Sequence, residues 1–193
     1  MDILVTGFKP FLGEAINPSE KLAISLADFS ESVRSQILPV EFGKSFEVLK
    51  AAIDLRKPDY LIMIGQASGR KNICFEKIGL NWVQTKNKDE NGQQPPTGYL
   101  KQGAELAKMS IFPVDQIYQQ LKTEKLPVEI SFSAGVYVCN DLYYRVLSEY
   151  PNLKSVFIHV PMLPEQIKDP AFYAMDFLSQ QQVLKRILEI IVV

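Results

Sequence analysis

The chain has 193 residues, 47% of them hydrophobic and 22% charged, with a formal net charge of −1. That length fills one well-packed domain, read here as 1–193, and not two. The balance excludes the basic stripe of a nucleic-acid binder and the like-charge run that draws a protein to a membrane surface. No apolar stretch reaches transmembrane length, and the opening residues lack the positive n-region of a signal peptide. The two cysteines, Cys74 and Cys139, are therefore expected to be reduced, in a cytoplasmic protein. With a single histidine they make a poor structural zinc set, and no metal or cofactor is expected.

Ile3-Leu4-Val5 predicts a first buried strand. Asn17-Pro18-Ser19-Glu20 reads as a helix start, with Asn17 as N-cap, Pro18 at N1 and Glu20 at N3, and the helix runs to about Ala27. A second strand is expected near Ile37–Val40. Phe46, Leu49, Ala52 and Ile53 follow at helical spacing, ending before Pro58. Tyr60–Ile64 is a continuous apolar strand that stops at the loop Gly65–Arg70. A further strand is expected from Ile73 to about Val83. The polar segment from Gln84 to Ser110 is too long for a simple connector and reads as an active-site loop or hairpin excursion. Val114–Leu121 is helical, Val128–Ile130 a short strand, Val138 to about Glu149 helical, and Ser155–Val160 a strand. Ser179 and Gln182 form a candidate capping box for a last helix ending near Ile191. Apolar strands separated by helices predict a three-layer α/β/α sandwich, with a mainly parallel twisted sheet and helices on both faces. The Gly65–Arg70 loop, the turn Ser133-Ala134-Gly135 and the residues after Val160 all follow strands, and are expected to cluster at their carboxyl ends.

His159 is the only histidine. It stands in the apolar run Val156–Pro161, either as a buried core residue or as the one side chain able to serve as a base near neutral pH. Cys139 lies near the start of a helix, where unpaired N–H groups stabilise a thiolate and could hold an oxyanion. It equally shares a face with Leu142, Tyr143 and Val146 and would fit a core. Glu76 sits beside Cys74, Ile78 and Leu80 in strand period. There it either points to water or is a buried partner for a histidine, since a lone carboxylate on an apolar face is costly. Together these three are the parts of a Cys–His–acid triad, which only geometry can establish.

At these residues the chain resembles the type I pyroglutamyl peptidases, or pyrrolidone-carboxylate peptidases. The opening Thr6-Gly7-Phe8-Lys9-Pro10-Phe11-Leu12-Gly13, with Asn17-Pro18-Ser19, is similar to the family's T-G-F-x-P-F-x-G…N-P-S. Gly65-Gln66-Ala67-Ser68-Gly69-Arg70 resembles G-Q-A-G-G-R, and Ile73 to Asn81 resembles the glutamate-bearing segment. Ala134 to Asn140 resembles A-G-T-F-V-C-N. Phe157-Ile158-His159-Val160-Pro161 with Leu163-Pro164-Glu165-Gln166 resembles F-I-H-V-P-x-L-P-E-Q. The resemblance implies Cys139 as nucleophile, His159 as general base and acid, and Glu76 as its orienter. It also implies a pocket in which Phe8 and Phe11 flank a flat lactam ring, with Asn17 and Gln66 nearby. The substrate is then a pyroglutamyl peptide, and the enzyme a homo-oligomer, often a tetramer. The chain departs from the family at Lys86, where an arginine thought to polarise the reaction centre is usual. It departs again at Ser68, at Val136 and Tyr137 in the pocket wall, and at Asp141. Lysine keeps the charge but not the planar fork. Two other readings follow from the same residues: a ligand-binding homologue without turnover, and a nucleotide binder, although G-x-G-x-x-G and G-K-[ST] are missing.

Overall fold

The computed structural model describes residues 1–169 and 171–192. The elements run β1 (Ile3–Phe8), α1 (Pro18–Ala27), β2 (Val33–Leu38), α2 (Lys44–Leu55), β3 (Tyr60–Gln66), β4 (Ile73–Glu76), β5 (Ile78–Leu80), β6 (Ala107–Met109), α3 (Val114–Thr123), β7 (Val128–Ser131), α4 (Val138–Glu149), β8 (Lys154–Val160) and α5 (Phe177–Val192). Six strands form one sheet in the order β2-β1-β3-β8-β4-β7, while β5 and β6 pair as a separate hairpin. Neighbours from β2 to β8 are parallel. β4 meets β8 antiparallel and carries β7 parallel to itself, so the sheet is mainly parallel.

Period-2 alternation sorts the side chains into two cores. Leu4, Leu61, Met63 and Phe157 face one way, against Leu49 and Ile53 of α2 and Val138, Leu142 and Val146 of α4. Ile3, Val5, Ile62, Ile64, Val156 and Ile158 face the other, against Leu22 of α1, Ile117 of α3 and Val183 and Ile187 of α5. These are the three layers. Strands covered on both faces have no polar face to show, which is why their sequences are apolar throughout. Gly7 allows α1 to settle on β1, because a Cβ there would lie 2.1 Å from the Ser19 carbonyl oxygen.

Four expectations shift. The second strand is Val33–Leu38 rather than Ile37–Val40, since an edge strand tolerates the polar Arg34, Ser35 and Gln36 once β1 sets its register. The strand expected from Ile73 to Val83 breaks at Lys77, whose N–H donates to Ser131 O (2.8 Å) and whose carbonyl accepts from Ser110 N–H (2.9 Å). The chain then leaves the main sheet as β5, and its partner β6 lies inside the segment read as an excursion. The last helix is capped by Asp176, whose carboxylate accepts from the Ser179 N–H (2.9 Å) and hydroxyl (2.6 Å), and not by a Ser179–Gln182 box. Finally, β7 runs against β8, so the turn after Ser131 does not follow a strand of the same direction as β3 and β8. No helix among the described residues is long and apolar enough to cross a membrane.

Candidate active site

A cavity of about 220 Å3 opens where the ends of β1, β3 and β8 meet the start of α4. Its walls include Phe8, Phe11, Asn17, Gln66, Arg70, Tyr137, Cys139 and His159. The Gly65–Arg70 loop and the end of β8 reach it as carboxyl ends of parallel strands. The turn Ser133–Gly135 reaches it by another route, as the lead into α4.

The register explains how the polar groups meet. Cys74 pairs with His159 and Glu76 with Phe157, so Glu76 and His159 are diagonal neighbours on one sheet face. The Glu76 carboxylate is fully buried, and its Oε1 lies 2.8 Å from His159 Nδ1. An ionised carboxylate only accepts, so Nδ1 carries the proton and Nε2 is left as the basic nitrogen. The ring of Phe157 packs against the imidazole at 4.8 Å between centroids and restricts its tilt. Gly65, opposite His159 on β3, has no side chain to stand in the way. A Cβ there would lie 3.2 Å from Cys139 Sγ and 2.8 Å from the Phe157 ring.

Cys139 is the second residue of α4 and half-buried. Among the described residues the N-cap, Tyr137, makes no side-chain capping bond, so the first amides of the helix remain available at the cavity wall. Burial pushes the thiol up to about 12, and the negative Glu76 adds to the effect. It rests as a neutral thiol, without a hydrogen bond to His159 among the described residues. Cys74 is fully buried, and desolvation pushes its thiol up to about 11.

The remaining predicted residues divide. Phe8 is buried and Phe11 partly so, and both line the cavity. Asn17 also lines it, but its amide is engaged in the N-cap. Oδ1 accepts from Ser19 N–H (3.0 Å) and hydroxyl (2.8 Å), and Nδ2 donates to Lys9 O (3.0 Å). Gln66 accepts at Oε1 from Gln166 Nε2 (3.0 Å), which turns its own NH2 away from that contact. Tyr137 lines the wall and donates its hydroxyl to Lys88 O (2.8 Å). Lys86 does not reach the cavity: it is exposed in a turn closed by Thr85 Oγ1 accepting from Asn87 N–H (3.0 Å). The backbone just before that turn is held by Gln84 N–H donating to Val136 O (3.2 Å).

Sequence reasoning assigned no role to Arg70 or Gln166, although both close conspicuous motifs. Arg70 Nη2 donates to Glu76 Oε1 (3.3 Å), Ser131 Oγ (3.0 Å) and Ser133 O (3.3 Å). Gln166 accepts from Leu163 N–H (3.0 Å) and donates to Ile16 O (3.2 Å) as well as to Gln66. The polar excursion is also firmly held. Glu90 Oε1 accepts from Leu12 N–H (2.8 Å) and Asp89 Oδ2 from Phe42 N–H (2.9 Å), strapping two loops beside the cavity. At Asp141 the carboxylate accepts from Gly43 N–H (2.9 Å) at the start of α2 and from Arg145 (2.7 Å), a packing role between two helices.

A sequence profile of the family described as pyroglutamyl peptidase matches residues 1–193. The pyrrolidone-carboxylate peptidase of Thermosipho africanus is 42% identical over 174 residues, covering 86% of this chain and 84% of that protein. The enzyme of the same name from Pyrococcus furiosus is 40% identical over 177 residues, covering 88% and 85%. Among solved structures, the pyrrolidone carboxyl peptidase of Fervidobacterium islandicum superposes with a TM-score of 0.92 at 30% identity, over 99% of this chain and 98% of that one. Pyroglutamyl peptidase I of Bacillus amyloliquefaciens gives 0.89 at 33% identity, over 96% and 94%.

Proposed function

The chain belongs to the pyroglutamyl peptidase family, and we propose that it works, as a single domain, through a Cys139–His159–Glu76 triad. It is a cysteine exopeptidase that removes the N-terminal pyroglutamyl residue from peptides. The observation that carries the triad is the buried 2.8 Å contact between Glu76 Oε1 and His159 Nδ1, beside a cavity that Cys139 also lines. His159 Nε2 takes the proton of the neutral thiol as sulfur attacks the pyroglutamyl carbonyl, and Glu76 stabilises the imidazolium that forms. Thiol and base that stand apart at rest commonly tighten when substrate binds. The oxyanion is held by the uncapped amides at the start of α4, a role that does not need Lys86. The imidazolium then protonates the departing amine. Water, activated by the same nitrogen, hydrolyses the thioester and restores the thiol.

The lactam is small, flat and neutral, so apolar walls with few polar partners suit it. Phe8 and Phe11 supply the walls and Tyr137 a further side. With Gln166 occupying Oε1 of Gln66, the free NH2 is the donor for the lactam carbonyl, while Asn17 shapes the floor by holding α1 in place. A cytoplasmic homo-oligomer belongs to the same proposal, supported by two unpaired cysteines and by the resemblance. No specific observation favours the binding-protein or nucleotide alternatives.

The test is release of anilide from a pyroglutamyl-anilide by reduced wild type and by Cys139→Ala. Wild type is expected to turn over and the alanine variant to lose activity by at least about 10³-fold. An inactive wild type would remove the peptidase reading, and equal rates would remove Cys139 as the nucleophile.

A further inference from the structure

Building on the peptidase reading above, we propose that Arg70 is a positioning residue of the triad, which keeps Glu76 ionised and ties it to the turn that leads into Cys139. Four observations converge. Glu76 is fully inaccessible and, among the described residues, its Oε2 has no hydrogen-bond partner, so the carboxylate's support there falls on Oε1. Oε1 receives two donors, His159 Nδ1 at 2.8 Å and Arg70 Nη2 at 3.3 Å. Among the described residues Arg70 is the only lysine or arginine within ion-pair distance of that carboxylate. A buried carboxylate without a fixed cation takes up a proton far more readily. The same Nη2 reaches Ser131 Oγ and Ser133 O, so one guanidinium joins the carboxylate to the turn before α4.

The groups facing the pair from each side leave this role to Arg70. On β4, Cys74 is a neutral thiol, with Glu129 of β7 beyond it. From α4, Cys139 and Tyr143 are kept protonated by burial, and the Tyr143 hydroxyl is engaged by the Glu76 carbonyl at 2.7 Å. β3 presents Gly65 opposite His159.

Loss of the Arg70 charge has two consequences with one sign. Glu76 would protonate at higher pH, and His159, freed of a repelling neighbour, would hold its proton to higher pH. Both raise the acid limb of activity. The experiment compares wild type, Arg70→Gln and Arg70→Lys across pH in two readouts. One is kcat/KM on pyroglutamyl-anilide; the other is the rate of Cys139 alkylation by iodoacetamide in a Cys74→Ser background, which needs no substrate. For Arg70→Gln the acid limb is expected to rise by about one pH unit in both readouts. Its kcat is expected to fall about tenfold or more while KM stays within about threefold. Arg70→Lys keeps the charge and recovers most of the limb, though not the link to Ser133. Limbs that superimpose, or a lysine variant as shifted as the glutamine one, would overturn the proposal. If wild type hydrolyses no pyroglutamyl-anilide yet the alkylation limb still moves, the substrate reading fails and the positioning role stands. Where Arg70→Gln does not fold, a lysine variant with a limb displaced as far as one pH unit overturns it, and a limb close to wild type supports it.

Discussion

Gln166 illustrates how much a single side chain can settle at this site. Its amide oxygen is held by Leu163 N–H, which fixes its NH2 toward Gln66 and Ile16. A glutamine alone is ambiguous about which end it presents, and this contact removes the ambiguity for Gln66. Gln166→Leu should therefore raise KM for a pyroglutamyl-anilide roughly tenfold, equivalent to about 1.4 kcal/mol, with a smaller change in kcat. Steady-state kinetics at one pH checks this, and an unchanged KM would mean that Gln66 is oriented by other groups. The members of the proposed triad could be singled out at the same scale, because the chain has one histidine and its motif surroundings are distinctive. Arg70 was not, because nothing in a loop sequence says which buried carboxylate an arginine will meet.

At the level of elements, α4 is positioned by its polar side chains as much as by its apolar face. Asn140 is fully buried next to Cys139. Its Oδ1 accepts from Leu80 N–H (2.8 Å), and its Nδ2 donates to Leu80 O (2.8 Å) and Trp82 O (3.0 Å). It thus pairs the edge of β5 as a strand would. Truncation to alanine leaves three backbone groups without partners, so Asn140→Ala should cost about 2–4 kcal/mol. For a chain of this size that is a fall in Tm of roughly 5–15 °C. Calorimetry decides, and a loss under about 1 kcal/mol would show that solvent replaces the bonds freely. The break of the expected long strand at Lys77 is part of the same arrangement. Gly79 lets β5 lie against α4, since a Cβ there would come within 3.0 Å of the Tyr144 backbone.

For the whole molecule, the buried acids set a pH dependence of stability. Burial raises Cys74 to about 11, Cys139 and Tyr137 to about 12, and Tyr143 upward as well. Each binds its proton more tightly folded than unfolded. Their contribution is complete below the unfolded values, near 8.5 for cysteine and 10 for tyrosine, and is lost as pH rises through and beyond them. The urea midpoint should hold between pH 7 and 8 and then fall, with a loss of several kcal/mol, at most about 7, by pH 10.5. Cys74→Ala should show a shallower decline, and a midpoint unchanged to pH 10.5 would contradict the assignment.

The linear chain determined the layers, most of the helices and which residues are candidates for the proposed triad. Apolar runs with no polar face demand a sheet covered on both sides, and the Asn17-Pro18 signal places a helix start to the residue. Those are local or compositional facts, written in neighbours along the chain. The tertiary structure alone decided what depends on contacts between distant residues. The reversal of β4 and β7 against the other strands, the polar edge strand β2 and the pairing of β5 with β6 follow from register, which is a property of pairs. The exposure of Lys86 and the use of Arg70 follow from where two loops finally lie. A side chain's charge is carried in its sequence, but the partner that gives that charge a purpose is chosen by the fold.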